Sequence, residues 1–134
     1  MNKSFRKPEQ RGGRMYLDDV PKRSFNTVPP KFSLKHLKGG KFCLSRCEQS
    51  EKAAFADKLR ELSQKTWQEL QQAPRHGMGF EKIRGYKDLP VDVSPDVNIL
   101  AFRFCGKKAM IGYRIDETFY IIALDRNFTA YNHG

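Results

Sequence analysis

The chain has 134 residues, 39% of them apolar and ten of them phenylalanine, which suffices for one hydrophobic core but not two. Its formal charge is +10, and no window approaches the roughly 18 to 20 apolar residues that span a bilayer. The opening Met-Asn-Lys-Ser-Phe-Arg-Lys-Pro lacks the apolar segment of a secretory signal, and three cysteines (Cys43, Cys47, Cys105) are too odd a number for a disulfide framework, so a cytoplasmic protein with no membrane partner is expected.

The basic excess is uneven. Residues 1–50 carry twelve Lys/Arg against four Asp/Glu, residues 51–98 eight against eight, and residues 99–134 five against three. Residues 1–30 mix Lys, Arg, Gly-Gly and four prolines with few apolar side chains. Such a stretch buries too little to offset the entropy of ordering, and it reads as a basic, largely disordered tail ahead of a single domain over 31–134. Phe32 to Leu37 and Lys41 to Arg46 alternate in polarity around Lys38-Gly39-Gly40, which predicts a β-hairpin. Its wet face would present Lys35, Lys41 and Arg46.

Ser50 is the expected N-cap of a helix that Pro74 stops after Ala73, with Glu51 set against the positive end of the helix dipole. Phe55, Leu59, Leu62, Thr66 and Leu70 recur at helical spacing, Trp67 widens the stripe, and Ser63 is a candidate break into a helical hairpin. Pro74 to Asp96 is an irregular connection carrying Arg75 and His76. From Ile99 to Tyr131, three β-branched and aromatic runs are separated by short polar breaks, the pattern of a three- to four-stranded antiparallel meander. The third run, Phe119 to Leu124, is apolar on both faces and is expected to be covered on both. The fold class is therefore α+β.

Charge asymmetry of this kind points to a polyanion, most often nucleic acid. The residues offer no finger-like Cys/His spacing, no paired carboxylates, no phosphate loop and no nucleophile elbow, so no metal and no cofactor is expected. What stands out is a set of cations around the meander: Arg103, Lys107, Lys108, Arg114 and Arg126, with Tyr131 and His133 near the end. Lys35, Lys41, Arg46, Lys107, Lys108 and Arg126 are the expected nucleic-acid contacts. Arg103, Arg114, Tyr131 and His133 are the inventory for metal-free RNA cleavage, in which a 2′-hydroxyl attacks the neighbouring phosphate, arginines stabilise the phosphorane and a Tyr or His transfers protons. The competing reading makes each arginine a structural partner of Asp116, Glu117 or Asp125.

A small β element, about 25 helical residues and the stretch Phe102-Arg-Phe-Cys-Gly-Lys-Lys-Ala-Met-Ile-Gly-Tyr-Arg-Ile-Asp-Glu-Thr-Phe-Tyr-Ile-Ile-Ala-Leu together resemble the RelE/ParE superfamily of bacterial toxins over roughly residues 40–134. The resemblance implies a ribosome-associated mRNA endonuclease neutralised by an antitoxin protein. Arg103 and Arg114 would match the strand arginines, and Tyr131 and His133 the terminal aromatic or histidine. The chain departs from the family in its basic tail and added hairpin, and in the charge balance of residues 51–73. Two other functions fit the same residues: a non-catalytic nucleic-acid-binding or partner-binding module of a mobile element, and a toxin that inhibits a protein target.

Overall fold

The computed structural model describes residues 24–74, 77–84, 86, 89–90 and 93–129. Most of the expected tail, residues 1–23, and the terminal residues 130–134 lie outside that range. Residues 24–30 are described. They form a 3-10 turn over Phe25–Thr27, capped by the Ser24 side chain, and then run extended to a buried Pro30.

The sheet has five strands: β1 (Lys31–Ser33), β2 (Phe80–Ile83), β3 (Ile99–Cys105), β4 (Lys108–Ile115) and β5 (Thr118–Asp125), in the order β1-β5-β4-β3-β2. The expected meander is β3-β4-β5, antiparallel throughout. β2 adds to its far edge, antiparallel to β3. The α+β class is as expected, but the N-terminal hairpin is not formed. β1 pairs parallel with β5, Phe32 opposite Phe119, and the second expected arm is a pair of 3-10 turns, Gly40–Phe42 and Leu44–Arg46. The physical reason lies in where the backbone groups go. After Ser33 the chain leaves the strand direction, and the Lys38 N–H donates to the Ile122 carbonyl at 2.8 Å. Gly40, at φ +69°, then turns the chain, and the amides of Cys43, Arg46 and Cys47 are satisfied locally by Gly40, Cys43 and Leu44.

The helical stretch divides at Ser63, giving α1 (Gln49–Leu62) and α2 (Trp67–Gln72). The N-cap of α1 is Glu48 rather than Ser50. The Glu48 amide donates to Glu51 Oε1 at 2.7 Å, so the carboxylate three residues in closes the first turn. Thr66 caps α2 reciprocally with Glu69, and the helix stops just before Pro74. One face of the sheet packs on these helices. Phe55, Leu62, Trp67 and Leu70 meet Leu100, Phe102, Met110, Phe119 and Ile121, all buried. Phe102 and Phe119 stand edge to face at 5.2 Å, the arrangement that aromatic quadrupoles favour. Trp67 has no exposed surface, and its indole N–H donates to the Glu117 carbonyl at 3.0 Å.

Among the described residues the other face carries no α-helix. Ile99, Ala101, Ile111, Tyr113 and Ile122 are covered there by Tyr86, Leu89, Val93 and Val97 from irregular segments, with Phe42 from a 3-10 turn and Tyr120 from β5 itself. β5 is accordingly buried from Ile121 to Asp125, covered on both sides as its sequence required. Gly112 marks a close approach of two strands: a Cβ there would lie 2.1 Å from the Tyr120 carbonyl oxygen, beside the register shift between β4 and β5.

Candidate nucleic-acid interface

Residues directly opposite in an antiparallel pair share a face of the sheet. Arg103 is opposite Ala109, and Ala109 is opposite Asp125, which places Arg103 on the helix-free face. Arg114 is opposite Phe119, which belongs to the helix-packed core. The two arginines expected to stabilise one phosphorane therefore stand on opposite faces. This corrects the pairing on which a common phosphate site depended.

Arg114 is held by the fold. Its guanidinium carbon sits 4.3 Å from the Trp67 ring centroid, Nε donates to the Asp116 backbone carbonyl at 2.6 Å, and Nη2 donates to Asn26 Oδ1 at 2.8 Å. Burial pulls its pKa below the ordinary arginine value, against the opposing charge of Asp116. Arg103 is half-buried and makes no ion pair among the described residues.

Two of the expected nucleic-acid contacts are also engaged. Lys108 and Arg126 converge on Glu51, at 2.6 and 3.3 Å, and the Glu51 side chain is only 3% exposed. Burial by itself would push the Glu51 carboxyl pKa up. The hydrogen bonds from Lys108 and the Glu48 amide, with the charges of Lys108 and Arg126, outweigh it and leave the pKa lowered. Lys107 is exposed at the β3–β4 turn, and Arg46 is exposed at the end of the second 3-10 turn. Tyr131 and His133 lie outside the described residues, as do Arg75 and His76.

Lys35 and Lys41 remain exposed, and the fold adds Lys38 between them. Lys35 and Lys38 line one cavity, while Lys38 and Lys41 approach the Phe42 ring at 5.8 and 5.1 Å. Lys38 is also 5.8 Å from the Tyr86 ring. The three lysines thus form a row along the helix-free side, interleaved with rings. Beside them Tyr113 and Tyr120, cross-strand partners, stack at 5.0 Å with planes 10° apart, and the His36 ring lies 6.2 and 6.1 Å from them.

His36, Lys38, Tyr113 and Tyr120 are not among the residues expected from the sequence. One signal marks the region: residues 20 to 47 contain seven Lys/Arg and not one Asp or Glu. Among the described residues no group of His, Cys, Asp and Glu side chains is placed to hold a metal, and no helix is long and apolar enough to cross a membrane. Burial raises the Cys47 thiol pKa, whereas hydrogen bonds at Ser45 lower that of Cys43. Comparison with family models, with curated proteins and with solved structures gives no match, so the RelE/ParE resemblance rests on the residues quoted for it.

Proposed function

We propose that this chain is a non-catalytic nucleic-acid-binding module whose contact surface is the helix-free face of the sheet. The carrying observation is the row Lys35, Lys38 and Lys41 beside Phe42, Tyr86 and the Tyr113–Tyr120 stack. Ammonium groups on long stems follow a phosphate backbone and release its counterions, and adjacent rings give bases a surface to stack on. Lys107 and Arg46 are further exposed cations.

Cleavage of mRNA by a RelE-like mechanism has less support. That chemistry asks two guanidinium groups to meet one phosphorane, and here Arg114 is turned to Trp67 on the helix side while Arg103 faces the other way. An antitoxin partner belongs to that reading and carries no separate observation.

The test is fluorescence anisotropy with labelled oligoribonucleotide across a salt series. Binding should weaken steeply with salt. The variant with Lys35, Lys38 and Lys41 all changed to Ala should bind at least tenfold more weakly and lose about two from the log–log salt slope, roughly 0.7 per phosphate contact on a single strand. Unchanged affinity in that variant, or transcript cleavage lost with Arg103→Ala, would turn the assignment over.

A further inference from the structure

The helix-free face holds two neighbouring cavities, of about 390 and 370 Å³, each within the size range of small-molecule sites. The first is walled by Tyr113, Tyr120, His36, Val97 and Ile115, and the second by Leu37, Lys38, Leu89, Pro90 and Ile122. Lys35 and His36 line both. Two apolar or aromatic recesses with a shared exposed cation on their common border match the repeat of a nucleotide chain: base, phosphate, base.

We infer that the face accepts two successive unpaired nucleotides of a single strand, one base against Tyr120 and His36, the next in the second recess against Leu89 and Pro90 beside Lys38, with Lys35 on the phosphate between. The inference rests on the nucleic-acid reading above and narrows it to single strands. Three features carry it. Tyr113 is 2% exposed and lies nearly parallel to Tyr120, so it acts as a backing plate that holds the half-buried Tyr120 ring at a fixed tilt. A stacking surface fixed in advance loses little entropy when a base lands on it. Ile115, 51% exposed, extends the first recess with apolar surface, which suits a base edge and not a phosphate. A base paired in a duplex cannot enter a recess of this kind without leaving its partner, and unpairing costs a few kcal/mol. Stacking on aromatic side chains contributes about 1–3 kcal/mol per base and is tolerant of sequence.

The experiment compares three probes on the full chain: a short oligouridine, the corresponding RNA duplex and inorganic polyphosphate. Oligouridine should bind about tenfold more tightly than the other two at equal salt. Tyr120→Leu should remove that preference while the salt slope stays as in the parent, because the lysines are untouched. Photocrosslinking of the unaltered protein to 5-iodouracil-substituted oligouridine should join the probe to Tyr120 or His36, a readout that does not depend on the variant folding. Equal affinity for all three probes, or crosslinks confined to residues outside the two recesses, would overturn the single-strand inference and leave general polyanion binding standing. Absence of binding to every probe would remove both.

Discussion

The Arg114 guanidinium carbon sits over the indole of Trp67, 4.3 Å from its centroid, while its nitrogens donate to Asn26 and the Asp116 carbonyl. One side chain thus ties the β4–β5 turn, α2 and the segment entering β1. Replacing Arg114 by Ala removes a partly desolvated cation–π contact and two hydrogen bonds, an expected loss of about 2 kcal/mol. Arg114→Lys should recover less than half, since a single ammonium cannot sit over the ring and reach both acceptors at once. Urea unfolding measures the loss, and nucleic-acid affinity should change by less than about twofold.

Glu51 gives the fold an acid-sensitive point. Its carboxyl pKa is lowered in the folded protein, so the stability it contributes is fully present above the ordinary glutamate value and is lost as pH falls through that value toward the folded one. Glu51→Gln should cost roughly 2–3 kcal/mol near neutral pH, because it leaves Lys108 and Arg126 without their anion and weakens the cap of α1. As pH falls below the ordinary glutamate value the difference between variant and parent should shrink progressively. Thermal melts from pH 3 to pH 7 test this, and a difference that stays constant across the range would refute it.

The cations around the sheet should separate into two classes. Lys108→Met ought to lower the melting temperature through Glu51 and leave the salt slope of nucleic-acid binding unchanged. Lys35→Ala ought to do the reverse, reducing the slope by roughly 0.7 with a small effect on stability, since its side chain is exposed. Paired measurements of melting and binding on both variants decide the matter.

Gly112 is the position where β4 tolerates no side chain. Alanine would place its methyl 2.1 Å from the Tyr120 carbonyl oxygen and 2.8 Å from the Phe119 ring, contacts that only a backbone shift relieves. The expected cost is about 3 kcal/mol or more, read as loss of soluble protein or a lowered unfolding midpoint. Any folded Gly112→Ala protein should also bind oligouridine more weakly, because Tyr120 is displaced with its backbone.

Much of the architecture was legible before any coordinates. The three runs after Ile99 are strands because they are β-branched and aromatic and are separated by polar breaks, and the helix breaks at Ser63 and ends at Pro74 as its residues demand. The hairpin expected around Lys38-Gly39-Gly40 failed because local alternation says which side chains can share a face and not which strand supplies the partner. Phe32 found the Phe119 edge of β5, and the run after Gly40 closed its hydrogen bonds on itself.

The sequence by itself determined the three strands of the meander, the helix stripe and the concentration of positive charge before residue 48, but it left β2 inside what reads as an irregular connection. It did not determine on which side of the sheet each arginine points. Cys105 faces Lys108, and an unbroken ladder from that pair would put Arg103 opposite Met110, on the same face as Arg114. One extra residue in β3 shifts the register so that Arg103 meets Ala109 instead, and a one-residue shift reverses the face. That bulge, and the packing of both helices on a single side, are settled by long-range fit between elements, which no local pattern in the chain records.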